Sequence, residues 1–281
     1  MRRSAQGFTL VELAVVFTIV ALLVASLLYT LSAQTEQRAQ DDTRRRLEQA
    51  RELVLSFAVV KGRLPCPARS ANTTAPVTTA GDEVQNASQQ CNGDSVDDYY
   101  GGSNAGVTLG LLPARTIGFT QVDSSGFAVD AWGNRIRYAV AKTVLANSCT
   151  VTTPSAPYFV SSTNLKSNGV ACQPGDLIIC KSATGISGTS CGGASNQVNA
   201  QNLVVAIIFS TGKNGAISPS GAGVDEQANV KSTSLSPQIN PVFVFHTRTD
   251  NTFANGEFDD QFTWITAGEL YGRLIAAGVL P

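Results

Sequence analysis

Few residues in this chain combine the types and spacings that chemistry needs, and the most unusual is a lone carboxylate. Glu12 is the single charged side chain between Arg3 and Glu36, and it stands in the apolar run FTLVELAVVFTIVALLVASLLYTL at residues 8–31. An ionised carboxylate is costly to remove from water, so Glu12 calls for a cationic partner or a proton. The other reactive types are six cysteines (Cys66, Cys91, Cys149, Cys172, Cys180, Cys191) and one histidine, His246. Zinc and iron–sulfur centres need closely spaced Cys and His sets, which are missing here. No serine or cysteine nucleophile motif accompanies His246, which reads as a strand residue near the surface, and the chain reads as a non-enzyme. An even cysteine count fits disulfides in an oxidising compartment. Joining sequence neighbours, Cys66 to Cys91, Cys149 to Cys172 and Cys180 to Cys191, gives the shortest loops, with other connectivities open.

The element that positions Glu12 is a membrane-spanning helix. Residues 8–31 are long enough, at about 1.5 Å per residue, to cross a hydrocarbon core of about 30 Å. Arg2 and Arg3 precede the span, so the positive-inside rule places the N-terminus in the cytoplasm and the bulk of the chain outside the inner membrane. Arg44, Arg45 and Arg46 oppose that orientation weakly. A secretory signal peptide is the plain alternative, but the stretch exceeds a normal apolar region and no small-x-small cleavage site ends it.

Gly7-Phe8-Thr9-Leu10-Val11-Glu12-Leu13, with a short basic leader before it and an unbroken apolar run after it, resembles the type III signal of type IV pilins and type II secretion pseudopilins. The resemblance implies cleavage by a prepilin peptidase between Gly7 and Phe8, N-methylation of Phe8, and an assembly role for Glu12. A glycine leaves the scissile backbone unobstructed, and cleavage frees a positive amine that a carboxylate one turn on, or in a neighbouring subunit, can pair with in low dielectric. The implied architecture is α+β and pilin-like: a long N-terminal helix packed by its C-terminal half on an antiparallel β-sheet domain. Its expected parts are a leader at 1–7, a transmembrane and filament-core helix at 8–31, its amphipathic continuation at 32–61, and a periplasmic globular domain with disulfides at 62–281.

The rest of the chain fits that plan. No glycine or proline occurs from residue 8 to residue 61, so one straight, continuous helix is expected. Leu47, Ala50, Val54, Phe57 and Lys61, widened by Leu53 and Ala58, recur at helical spacing and form a stripe suited to a globular partner. Gly62, Pro65 and Pro67 stop the helix. The polar stretch 70–106 reads as a loop, with Asp94, Asp97 and Asp98 as a solvated acidic turn. Asp130-Ala131-Trp132-Gly133-Asn134 introduces a strand through Ile136, Tyr138 and Val140, and this pattern also resembles the strand region of major pseudopilins. Leu177-Ile178-Ile179, residues 203–209 and residues 242–246 read as further strands. The turn Ser210-Thr211-Gly212-Lys213-Asn214-Gly215 lacks phosphate-loop spacing and is similar to a pseudopilin turn. Residues 258–265 read as a strand and 269–277 as a helix. The ending Phe258-Asp259-Asp260 with Trp264 resembles that of minor pilins. By analogy with the calcium loop of major pseudopilins, Asp250, Glu257, Asp259 and Asp260 are calcium candidates, although they lack EF-hand spacing. Acidic residues that only solvate the loop are the alternative.

Composition narrows the function. The chain has 20 basic and 21 acidic residues in 281, without the basic excess that nucleic-acid binding needs. The resemblance implies a structural subunit, a minor pilin or pseudopilin, assembled into a type IV pilus or a type II secretion pseudopilus at low copy or near the tip. Its implied partners are the prepilin peptidase, other pilins or pseudopilins, and the assembly platform of the bacterial inner membrane. A signal-anchored periplasmic binding or enzymatic domain and a pilus-tip adhesin are the rival readings.

Overall fold

With neither glycine nor proline in residues 8–61, nothing breaks the backbone ladder, and helix α1 runs uninterrupted over Leu10–Lys61. It ends where the sequence requires: Gly62 takes a left-handed φ of 69° and returns its N–H to the Ala58 carbonyl at 2.8 Å. That is the usual glycine stop. The structure is a computed structural model describing residues 9–70, 80–91, 98–104, 107–145, 149, 157–215, 223–231 and 241–280, without the side chains of 26–32 and 102–104. It divides into two units, Met1–Asp42 and Thr43–Pro281.

In the first unit the side chains of residues 9–25 are exposed. Among the described residues no helix is long and apolar enough to cross a membrane. Of the apolar run expected to do so, residues 8–31, Phe8 and the side chains of 26–31 lie outside what is described.

In the second unit the last turns of α1 are amphipathic. Thr43, Leu47, Ala50, Val54, Leu55, Phe57 and Ala58 are buried, and Leu53 is half-buried. Lys61, expected on this stripe, is exposed, because its ammonium gains nothing from burial at the last helical position. Thr43 and Leu55 widen the buried face instead. These apolar side chains share one core with Ile136, Tyr138, Val205, Ile207, Ile265 and Leu270.

The central sheet is antiparallel, in the order β3 (Arg137–Val140), β5 (Val204–Ser210), β7 (Gln261–Thr266). Every residue of β5 is buried, which explains its unbroken apolar string: a middle strand covered on both faces shows no alternation. Tyr138 pairs with Ile208 and Ile207 with Trp264, with a bulge between Val204 and Ala206. Helix α5 (Ala267–Ala276) follows β7 directly, and the Thr266 hydroxyl caps it by accepting from Glu269 N.

Two short pairs form separate sheets. Strands β1 (Gly102–Asn104) and β2 (Val107–Leu109) are antiparallel. Strands β4 (Ile178–Cys180) and β6 (Val242–Val244) are parallel, Ile178 opposite Val242. The expected strand at 242–246 thus stops at Val244, and its pairing departs from the antiparallel rule of the main sheet. Helix α4 (Val224–Val230) lies between these two strands in sequence, giving the chain the long connection that parallel strands need. Helices α2 (Ala114–Ile117) and α3 (Ser162–Asn168) complete the elements used below.

Disulfides join Cys66 to Cys91, Cys149 to Cys172 and Cys180 to Cys191, the neighbour pairing. Asp94 and Asp97 of the expected acidic turn lie outside the described residues, but Asp98 corrects it. That side chain is fully buried and paired with the buried Arg69 guanidinium.

Candidate functional site

Gly7 and Phe8, where processing is expected, lie outside the described residues. Thr9 and Glu12 immediately follow them. Glu12 Oε2 accepts from Thr9 N and from Thr9 Oγ1, both at 2.9 Å, and Glu12 N donates to Thr9 Oγ1 at 3.3 Å. This reciprocal pattern is a capping box, a Thr followed three residues later by Glu, and it satisfies donors that the first turn of a helix leaves open. The Thr9-x-x-Glu12 spacing therefore has a local job, starting α1. Glu12 is exposed, open to a further partner.

The second constellation is built from two turns. In the Asp130 turn, Asp130 Oδ1 accepts from Trp132 N at 2.9 Å and Asn134 N at 2.8 Å, and Gly133 supplies a φ of 89°. Asp130 Oδ2 accepts from Ser210 Oγ at 2.6 Å, and Asn134 Nδ2 donates to the Gly212 carbonyl at 2.6 Å. Trp132 itself is only half-buried. Gly212 (φ 64°) then backs directly onto Asp259, where a Cβ would lie 2.0 Å from Oδ1. Only a glycine permits that approach.

Beyond Gly212, three carboxylates converge. Glu226, Asp259 and Asp260 each place an oxygen within 4.8 Å of the others, although these residues are only 1%, 7% and 6% exposed. Glu226 sits in the first turn of α4, where it accepts from Gly223 N at 3.2 Å, Asp259 N at 2.7 Å and Asn214 Nδ2 at 2.9 Å. Asp259 Oδ2 accepts from Lys213 N at 2.9 Å, and Asp260 Oδ2 from Asn229 Nδ2 at 2.7 Å. Among the described residues, the buried Asp259 Oδ1 and Asp260 Oδ1 find no hydrogen-bond donor. Burial, then the Glu226 charge, pushes Asp259 up to about 7 and holds Asp260 well above the usual carboxylate range. Burial also raises Glu226. An all-oxygen set with unused lone pairs fits a hard divalent cation such as calcium.

Of the four residues named as calcium candidates from sequence, the fold brings together Asp259 and Asp260. Glu257 is half-buried and its charge reaches Asp259, but it stands outside the convergent group. Asp250 is exposed and accepts from Thr252 N at 2.9 Å. Glu226 was missed. Its one signal was Gly223 three residues ahead of a Glu at a helix start, which announces a cap and not an encounter with Asp259, 33 residues on.

His246 falls just after β6. Its Nδ1 lies 2.6 Å from the Thr247 carbonyl and its Nε2 3.1 Å from Asp225 Oδ2, with the ring stacked on Phe258 at 4.0 Å between centroids. Asp225 also accepts from Ala183 N at 2.5 Å, so the pair links α4 to the loop closed by Cys180–Cys191.

No curated protein and no solved structure matches this chain. Its N-terminal segment does match a family model, the prokaryotic N-terminal methylation motif, over residues 2–28. The match covers Gly7, Phe8, Thr9 and Glu12, so the chain carries the prepilin-type signal of type IV pilins and pseudopilins.

Proposed function

We propose that this chain is a minor pilin or pseudopilin, processed by a prepilin peptidase and built into a type IV pilus or a type II secretion pseudopilus. The observation that carries the reading is the methylation motif at residues 2–28 with Glu12 inside it. Hydrolysis of the Gly7–Phe8 amide leaves a carboxylate on the leader and an amine on Phe8, which is then methylated. Glu12, one helical turn on, is the acid that such an amine would seek, in its own subunit or in the next one. The apolar helix at 8–31 anchors the subunit in the inner membrane, N-terminus inward, and afterwards joins the filament core. The C-terminal half of α1 packs on the antiparallel sheet, and the 62–281 domain, in the periplasm, supplies surface contacts. A domain of that size is bulky for a repeated shaft subunit, which favours low copy or a place near the tip. The role is structural, with no catalytic step of its own.

Shear fractionation tests this. The chain should appear in sheared filaments or pseudopili at low stoichiometry and vanish from them when the peptidase is deleted. A Glu12→Leu chain should still lose its leader but stay in the membrane fraction. Equal recovery of Glu12→Leu in the filaments would contradict the role given to the carboxylate.

A further inference from the structure

We infer that the outer edge of β6 is a strand-pairing site held shut by Asn229 and Lys231, and that the strand it takes when opened is β6 of a second copy of this chain. The site goes beyond the filament reading and holds whether or not the chain enters a filament.

The ladder to β4 decides which groups of β6 face outward. Ile178 N donates to the Pro241 carbonyl at 3.2 Å and Phe245 N to the Cys180 carbonyl at 2.9 Å, so the backbone of 241, 243 and 245 faces β4. That of Val242 and Val244 faces the opposite edge. Such an edge is a template for another chain unless something covers it. Here the cover is made of side chains from α4 and its C-cap. Asn229 Oδ1 accepts from Val244 N at 2.7 Å, and Asn229 Nδ2 donates to the Val244 carbonyl at 2.9 Å. Lys231 Nζ donates to the Val242 carbonyl at 2.6 Å. One side-chain amide therefore exchanges two bonds with one residue, as a paired residue of an antiparallel strand does.

The residue types single out this task. Lys231 holds a left-handed φ of 53°, where glycine or asparagine would be less strained, and it is only 7% exposed. Asn229 is only 2% exposed and also donates to Asp260 Oδ2 at 2.7 Å. A glycine would end α4 more easily and a leucine would fill the space of the amide, but neither offers side-chain groups that answer a strand edge. Ala228 packs on the cluster that holds Val242, Val244 and Phe258, so α4 covers the edge as well as bonding to it.

The outward groups are also self-complementary. Val242 and Val244 stand symmetrically about Phe243. Two copies of β6 in antiparallel register put Val242 of each opposite Val244 of the other, and their outward N–H and C=O groups meet across a two-fold axis.

The experiment uses the full chain in detergent micelles and a fluorescent peptide carrying residues 241–245 between lysines. A second peptide is N-methylated at the residue matching Val244. It partitions into micelles alike but lacks the pairing N–H, so tighter binding of the first peptide, read by anisotropy, reports strand pairing. Wild type should bind both equally. Asn229→Pro removes the amide and breaks the last turn of α4. It should bind the first peptide at least about tenfold more tightly than the second, the equivalent of one or two hydrogen bonds. Lys231→Gly, which suits the left-handed φ, should show a smaller preference of about threefold. By light scattering, Asn229→Pro should carry more chains per micelle than wild type, and the first peptide should abolish the difference. A wild type that prefers the first peptide as strongly as Asn229→Pro does would overturn the closed edge. So would no preference in an Asn229→Pro chain with a native near-UV spectrum or, should that variant lose the spectrum, no preference in Lys231→Gly. Peptide pairing without any change in chains per micelle would overturn the second copy as the occupant.

Discussion

The Ser210 hydroxyl donates to Asp130 at 2.6 Å, with both groups buried. That one bond ties the turn before β3 to the turn after β5, so two segments 80 residues apart meet where adjacent antiparallel strands end and begin. Asp130 accepts two backbone N–H groups with its other oxygen, which makes it the keystone of the corner. Asp130→Ala should strand these donors and cost about 1–3 kcal/mol in urea unfolding. Asp130→Asn, which keeps a carbonyl for the N–H pair and lets the hydroxyl rotate to accept, should cost less than half of that.

The helix end is as much part of the core as any strand. Leu55 is 2% exposed while Val60, one and a half turns on, is 77% exposed. Leu55→Ala should therefore destabilise the chain by about 2–5 kcal/mol through lost contacts and a residual cavity. Val60→Ser should change stability by less than about 0.5 kcal/mol. Equal effects in thermal melts would contradict the burial of this face.

Lys231 gives the pH dependence a definite sign. Its Nζ donates to the Val242 carbonyl at 2.6 Å and sits 3.9 Å from the Phe243 ring centroid. Burial pushes the ammonium down to about 7 from 10.5. Between those values the unfolded chain binds more protons than the native one, so stability from this group rises with pH across that window, by up to about 1.4 kcal/mol per unit. Lys231→Met should flatten that slope in urea titrations at pH 7, 8 and 9. An unchanged slope would show that other groups set it.

The Cys180–Cys191 bridge closes a loop of 11 residues at the end of β4. A loop of that length corresponds to about 3 kcal/mol of chain entropy removed from the unfolded state. Cys180→Ser with Cys191→Ser should lower stability by about that amount, measured against oxidised wild type. No loss in the double variant would mean that the loop is ordered without its bridge.

Particular residues show what the sequence could and could not reveal. Local signals translated directly: the glycine-free run gave α1, Gly62 its end, and Gly133 the turn before β3. Short loops gave the cysteine pairs. What stayed hidden depended on tertiary meetings. Ile178 and Val242 pair in parallel because a long connection brings them together, and three-residue apolar strings carry no period that announces direction. Asp98 reads as a solvated turn until Arg69 is seen beside it. Asp259 and Asp260 stood out as an acidic pair, but Glu226 carried only the marks of a helix cap. Trp132, conspicuous in sequence, is half-buried, while its neighbour Asp130 does the anchoring.

The most direct test of the whole account is the intact mass and N-terminal fragment spectrum of the protein extracted from membranes of cells with an active prepilin peptidase. The account predicts a chain that begins at Phe8 and carries one added methyl group on its amine. A chain that retains Met1 and the leader in those cells would contradict it.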